Sequence, residues 1–526
     1  MNKTLLTLIT PFLVGICVTL LMSPRLASAS GFEQGTAGND QSQTDQSAQT
    51  RPNVLWFVVD DMSPHFSCYG ESLIQTPHVD RLAKEGTLFR HAFVTAPVCS
   101  ACRSALITGM YQTAIGAHHH RSGRGVAKIS LPENIIPLPE LFRRSGYYTC
   151  IGDGIALQKT KAITSLNGGP AKTDYNFEWD LKMYDGRDWS GRSTGQPFFM
   201  QVQLPGGKMR GDSEKSAQQI FARAQKEFGK STDPERVVLP PYYPRHPVLL
   251  DDWAAYLDSV RFTDKYVGAV IARLETEGIL DQTLIIFMTD HGISHARGKQ
   301  FLYDEGTHIP FIVRGPGIPQ GAIRDDLIEQ IDMGPSSLGA TGIAIPPMMQ
   351  GQDIFAENYH PRDAVFGARD RCDETVDRIR SVRTDRYLYI RNFFPQRPML
   401  QPNAYKDGKA IVKTLRQLHA DQQLDEQTAN LLFRPTRPVE ELYEWQIDRW
   451  QLNNLANTPE HADTLSMLRK RLDRWMSETN DQGAEPEADS MYTSDMEAWH
   501  GNRHDPQTEV IHENIRTMKK WAAEGK

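Results

Sequence analysis

The chain has 526 residues, with 58 Lys and Arg against 65 Asp and Glu and a formal net charge of −7. Its basic residues are spread along the sequence, which excludes the clustered positive footprint of a nucleic-acid binder. Of the six cysteines, Cys17 sits in the N-terminal leader; the rest are an odd, scattered set with no dense disulfide framework, so one of them is marked as chemically special.

In chain order, Met1-Asn2-Lys3 precedes an apolar run from Leu5 to Met22, broken by Pro11, and Ala27-Ser28-Ala29 supplies a small-residue exit. This predicts a signal peptide over 1–29, with export to the periplasm or medium and no stable membrane insertion after cleavage, because the run is short and interrupted for an anchor. Residues 30–50, rich in Gln, Ser, Thr, Gly and Asp, read as a flexible linker that cannot bury a core. Length alone would allow about three domains, but the pattern predicts one large α/β body over 51–355, a smaller α+β lobe over 356–485 and a loosely held polar tail over 486–526.

Asn53 to Val59 is a continuous apolar run ending in Asp60-Asp61, as expected of a parallel strand buried on both faces. Leu284 to Met288 repeats the pattern and ends in Asp290-His291, and Phe198 to Val202 is a third such strand. Helical patterns lie between them (Val79 to Glu85, Leu138 to Arg144, Trp253 to Glu277), which gives a large doubly wound, mostly parallel sheet flanked by helices. Acids at the C-terminal ends of such strands face the crevice where ligands bind. After about residue 350, Arg378 to Phe394 alternates like an antiparallel strand pair, Glu440 to Tyr443 continues in that style, and Thr464 to Met476 is an amphipathic helix.

Cys99-Ser100-Ala101-Cys102-Arg103, continued by Leu106-Ile107-Thr108-Gly109-Met110-Tyr111, resembles the signature of the formylglycine-dependent sulfatases, within the alkaline-phosphatase-like superfamily. The resemblance extends upstream through Thr76-Pro77-His78-Val79-Asp80-Arg81-Leu82 to Asp60-Asp61, and leans toward the sulfamidase-like and polysaccharide-sulfatase branches. It implies that a maturation enzyme oxidises Cys99 to formylglycine, whose hydrate attacks sulfur beside one divalent cation, and that the substrate is a sulfated carbohydrate. Asp60, Asp61, Asp290, His291 and the matured Cys99 are the metal candidates, with calcium expected from the carboxylates although His291 leaves the metal open. Arg103, one helical turn after Cys99, is placed to hold the hydrate.

Lys299, in Gly298-Lys299-Gln300 ahead of Tyr303-Asp304-Glu305-Gly306-Thr307, looks like the family's sulfate-contacting cation. The usual Gly-Lys-x-His segment is absent at Gly152-Asp153-Gly154; Lys172-Thr173-Asp174 reads as its displaced equivalent, with Asp174 in the histidine's place. A histidine expected after the third strand is likewise replaced by Pro205-Gly206-Gly207-Lys208. Lys208 then substitutes as a cation, and the substrate-binding candidates widen to His118 and His120 in His118-His119-His120-Arg121, to His308, and to Arg371 in a charged stretch of the smaller lobe. Adjacent histidines cannot all face one site. The competing readings are a phosphonate or phosphate ester hydrolase of the same superfamily, compatible with Asp290-His291, and a non-catalytic glycan binder, compatible with the missing histidines.

Overall fold

The computed structural model describes residues 51–155 and 172–526, apart from Asn502 and His504. The expected leader and linker, and residues 156–171 of the Gly-rich insertion, lie outside the described residues. Residues 51–526 form one compact unit.

The strands, in chain order, are β1 (Asn53–Val59), β2 (Thr87–Phe89), β3 (Ala92–Phe93), β4 (Tyr148–Gly152), β5 (Phe198–Leu204), β6 (Thr283–Thr289), β7 (Phe311–Arg314), β8 (Ala322–Arg324), β9 (Ile328–Glu329), β10 (Val365–Arg369), β11 (Ile379–Arg383), β12 (Leu388–Asn392) and β13 (Glu440–Tyr443). A seven-stranded sheet runs β4-β5-β1-β6-β7-β2-β8. Its centre is parallel, and β7 enters antiparallel to β6 and to β2. β3 pairs with β9 in a small ribbon, and β10 to β13 form a separate antiparallel sheet in sequence order.

The apolar runs read from the sequence are strands because they are covered on both faces. Along β1, Leu55, Phe57 and Val59 enter one hydrophobic core while Val54, Trp56 and Val58 enter the core on the other side of the sheet. The same division holds for β6, with Ile285 and Phe287 on one side and Leu284, Ile286 and Met288 on the other. Each such side chain contributes roughly 1.5–3 kcal/mol on burial, so the sheet centre fixes register strongly. That register matters for the site, since Val59 lies opposite Leu204 on one side and Thr289 on the other. Asp60 and Asp290 therefore leave the sheet at the same level.

The helix Cys99–Thr108 is buried along its whole length and ends at Gly109, whose φ of 66° takes the left-handed conformation that closes the last turn. The 30-residue helix Pro247–Thr276 backs the other face of the sheet. In the smaller lobe, the helix Ala462–Glu478 covers the antiparallel sheet with Leu465, Leu468, Leu472 and Trp475. Residues 486–526 differ from the loosely held tail expected. They form the helices Asp489–His500 and Pro506–Ala523, and the fully buried Arg371 fastens the first of them by pairing with Glu487 just ahead of it (2.6 Å) and with Asp495 within it (2.8 Å). The segment's polarity is satisfied by buried ion pairs, which a pattern of polar residues cannot distinguish from solvation. Among the described residues no helix is long and apolar enough to cross a membrane.

Candidate active site

The site lies at the C-terminal ends of β1, β5 and β6. Asp60 continues β1, donating its amide to the Leu204 carbonyl (3.0 Å), and the Asp290 amide donates to the Val59 carbonyl (2.8 Å). Asp61 then turns out of the sheet with φ 54°, a left-handed conformation that Asp tolerates better than most residues, and its amide donates to Asp290 Oδ1 (3.2 Å). After β5 the chain passes beneath both acids. A Cβ at Gly206 would stand 2.1 Å from the Asp60 carbonyl oxygen and one at Gly207 2.2 Å from that of Asp61. The two glycines thus allow the close approach that delivers Lys208.

Cys99 is the first residue of its helix and is 2% exposed. Its Sγ lies 3.1 Å from His291 Nε2, 3.2 Å from Lys299 Nζ and 3.8 Å from Lys208 Nζ. Burial pushes the thiol up, but the ammonium groups of Lys172, Lys208 and Lys299 outweigh it and lower it to about 7. One turn later, Arg103 points to the same side. It pairs with Asp60 Oδ1 (2.5 Å) and Asp290 Oδ2 (3.0 Å), and donates to Gln203 Oε1 (2.5 Å). Lys172 Nζ meets Asp60 Oδ1 at 2.9 Å, Lys208 Nζ meets Asp60 Oδ2 at 2.7 Å, and Lys299 Nζ stands 3.4 Å from Asp61 Oδ1.

Three carboxylates are therefore faced by four fixed cations around the thiol. Burial alone would raise Asp60 and Asp61, yet the surrounding lysines, joined by Arg103 at Asp60, hold both well below the usual carboxylate range. Burial likewise opposes the charge on Lys208 and Lys299, and the acids and Cys99 raise both above the usual lysine value. These are charge-bearing groups that keep their protons. Four cations against three carboxylates favour an anion at Cys99. A cavity of about 550 Å³ lined by Asp60, Lys172, Gln203, Pro205, Lys208 and Tyr266 opens on the site.

A divalent cation fits the donor set. Ligand atoms of Asp61, Cys99, Asp290 and His291 all lie within 4.8 Å of one another, and all four residues are buried. His291 Nδ1 faces the Gly292 carbonyl at 2.8 Å, which leaves the Nε2 lone pair for a metal. Asp60 stands apart from this group, with both oxygens engaged by Arg103, Lys172 and Lys208.

Of the residues expected at the site, Asp60, Asp61, Cys99, Arg103, Lys172, Lys208, Asp290, His291 and Lys299 come together. His120 joins them: a ring nitrogen of His120, a carboxylate oxygen of Asp174 and Cys99 Sγ lie within 4.8 Å of one another. Three substrate-binding candidates are held elsewhere. His118 faces the Arg380–Asp481 pair, and its buried Nδ1 has no partner among the described residues. His118 lies against His119, with ring centres 4.2 Å apart, whereas His120 turns to Asp373 and Cys99, so His118 and His120 do not share a site. His308 bonds through Nε2 to the Arg90 carbonyl (2.7 Å) and packs on Phe93; it lines a different cavity with Trp445 and Trp450. Arg371 is fully buried in its pairs with Glu487 and Asp495, so it serves the fold and does not face the pocket.

Other members carry no motif. Tyr405, on a short helix of the smaller lobe, donates to Asp61 Oδ2 (3.1 Å) and lies under Lys299 Nζ at 4.7 Å. Asp373 places Oδ1 3.0 Å from His120 Nδ1 and 3.3 Å from Arg121 Nη1.

Comparison with known proteins gives the same reading. Residues 52–343 match the family model described as Sulfatase, and residues 292–431 match that of the C-terminal region of N-sulphoglucosamine sulphohydrolase. An ulvan-active sulfatase of Formosa agariphila is 31% identical over 499 residues, covering 87% of this chain and 79% of its own. Human N-sulphoglucosamine sulphohydrolase is 26% identical over 82% of this chain and 91% of its own. The solved structure of BT4656 with its substrate D-glucosamine-2-N,6-O-disulfate shares the fold, with a TM-score of 0.56 at 17% identity over 82% of this chain and 98% of that one. The matched region runs through the whole acid–lysine cluster around Cys99, and the chain belongs to the sulfatase family as a sulfuric ester hydrolase.

Proposed function

We propose that this protein is an exported sulfatase that removes sulfate from a saccharide, with Cys99 matured to formylglycine and one divalent cation, calcium first, at Asp61, Asp290 and His291. The observation that carries this reading is the ring of Lys172, Lys208, Lys299 and Arg103 around a buried residue at a helix N-terminus, which suits a compact tetrahedral oxyanion. The matured residue supplies a hydrate hydroxyl as nucleophile toward sulfur, and the bound cation supplies positive charge beside it.

The chain's own residues do the rest. Lys299 and Lys208 hold the sulfate oxygens over residue 99, and their raised proton affinity keeps them charged as they do so. Arg103 fixes Asp60 and Asp290 in one orientation and thereby positions the two strand ends. Tyr405 and Lys299 orient Asp61 by holding one carboxylate oxygen each. His120, with Nδ1 held by Asp373, is placed to give a proton from its other ring nitrogen to the ester oxygen that leaves; burial pushes the free ring down to about 4 against the pull of Asp373, so the step requires the bound anionic sulfate to raise it into the charged form. Export rests on the Leu5–Met22 run and its Ala27-Ser28-Ala29 exit. A sulfated carbohydrate substrate rests on the relatives named for ulvan and N-sulphoglucosamine.

The test has two parts. The mass of the tryptic peptide His91–Arg103, from protein made beside a cysteine-oxidising maturation enzyme, reports whether residue 99 is still a thiol. A panel of aryl sulfate, aryl phosphate, phosphonate ester and sulfated oligosaccharides reports the reaction. An aldehyde at residue 99 with sulfate release supports the proposal. An unmodified Cys99 with glycan affinity and no release, or turnover confined to phosphorus esters, refutes it.

A further inference from the structure

The helix Asp489–His500 packs on the same loop that carries His120. Arg121, the next residue, donates its amide to Ser100 Oγ (2.9 Å), beside Cys99 in the sequence. Its guanidinium, 39% exposed at the side chain, reaches Asp373 Oδ1 and lies 5.1 Å from the centre of the Trp499 ring. Trp499 lies in the last turn of the helix Asp489–His500, which is fastened by Arg371 and whose Asp495 accepts the Arg124 amide (3.0 Å). Arg124 in turn pairs with Asp174, one of the groups within 4.8 Å of Cys99 Sγ. The chain thus sets two arginines and an indole around the loop that carries His120, joined through Asp373 and Asp174 to the groups that reach Cys99 Sγ.

One polar atom there is left over. His500, 6% exposed and ring-to-ring with Trp499 at 3.9 Å, has a buried Nε2 with no hydrogen-bond partner among the described residues. A buried ring nitrogen without a partner costs free energy in the free protein, and that cost is relieved when a ligand hydroxyl or anion reaches it.

We propose that Arg121, Arg124, Trp499 and His500 form the subsite for the sugar that carries the reacting sulfate, and that it takes an anionic saccharide unit bearing a carboxylate or a second sulfate. This rests on the sulfatase reading of Cys99 and adds the part of the substrate that binds outside the sulfate pocket. The indole offers a flat apolar face to the sugar ring, the guanidinium groups offer planar forks to its anionic substituent, and His500 completes the polar contacts. The helix Asp489–His500 is then part of the substrate pocket.

The experiment compares Trp499→Ala, Trp499→Phe and Arg121→Gln with the parent enzyme on three probes: p-nitrophenyl sulfate, an ulvan tetrasaccharide and D-glucosamine-2-N,6-O-disulfate. The expected result is that the ratio of kcat/KM for the better saccharide to that for p-nitrophenyl sulfate falls about tenfold or more in Trp499→Ala and Arg121→Gln, carried by KM, and is largely restored in Trp499→Phe. In parallel, calorimetry on Cys99→Ala with and without Trp499→Ala reads saccharide affinity without turnover, and the double variant should bind more weakly by a similar factor. Unchanged ratios and unchanged affinity overturn the subsite while leaving the sulfatase reading intact. A parent enzyme that releases sulfate from none of the probes refutes the sulfatase reading instead, and the binding arm then still decides the subsite.

Discussion

Asp373 Oδ1 lies 3.0 Å from Nδ1 of His120, so a carboxylate from the smaller lobe fixes the ring of a histidine from the larger one. After β5 the chain carries Pro205-Gly206-Gly207-Lys208 and no histidine, and Lys208 there keeps its proton. If His120 serves the leaving oxygen, its loss must hurt poor leaving groups more than good ones. His120→Ala is expected to cut kcat by about 10²–10⁴-fold on a sugar sulfate and far less on p-nitrophenyl sulfate, whose phenolate leaves unaided. Asp373→Asn should show the same selectivity with a smaller loss. Equal losses on both substrates would assign the pair to sulfate binding or to folding.

Lys208 tests the charge ring. Its Nζ spans Asp60 Oδ2 (2.7 Å) and Cys99 Sγ (3.8 Å), and it reaches there only because Gly206 and Gly207 let the chain pass under the acids. Lys208→Ala should lower kcat/KM about 10²-fold or more by leaving Asp60 underpaired and one sulfate oxygen unheld, while Lys208→Arg retains part of the activity. Gly206→Ala, at φ 51° and facing the Asp60 carbonyl, should damage both activity and thermal stability. A fully active Lys208→Ala enzyme would remove this residue from the site.

The strands were legible where both faces are covered. A run such as Val54–Val59 has no polar face to blur it, and the acids that follow must emerge at the strand end. Helix Cys99–Thr108 was legible through its motif, and Arg103 followed from helical spacing. What the sequence hid are contacts made by residues distant along the chain. Nothing local marks Tyr405 as a partner of Asp61, and the pairing of His120 with Asp373 depends on how two lobes meet. The segment after residue 485 looked solvated because its Glu487 and Asp495 find their arginine more than a hundred residues earlier. Strands as short as β2 and β8 carry too few residues for an alternation to register.

The metal cluster predicts a stability effect as well as an activity effect. Asp61, Asp290 and His291 are buried together, and a cation bound there only in the folded state stabilises it by mass action. Chelation should lower Tm by several degrees, and metal analysis of the enzyme should return about one divalent ion per chain, with calcium restoring Tm best. The imidazole of His291 gives manganese its opening. His291→Asn, an all-oxygen shell, should shift the preference further toward calcium. A Tm indifferent to chelator and metal would refute the site.

Asp264 yields a pH prediction remote from catalysis. On the helix Pro247–Thr276 it accepts the amides of His78 (2.9 Å) and Val79 (2.8 Å) at Oδ1, capping the helix Pro77–Glu85. Burial pushes this carboxyl up to about 7, and the two amides only partly offset it. The neutral acid is the form the fold prefers, so its contribution is complete below the unfolded carboxyl value of about 4 and is lost as pH rises from there through about 7. Asp264→Asn keeps the single acceptor oxygen that both amides use and cannot ionise. Its Tm should match the parent near pH 4 and exceed it at pH 8, by an amount worth up to about 2–4 kcal/mol. Asp264→Ala, with no acceptor, should lose about 1 kcal/mol at pH 4, which separates the cap from the charge. Scans at one fixed rate between pH 4 and 8 decide the matter, and parallel curves for the parent and Asp264→Asn would show that burial does not penalise the ionised carboxylate.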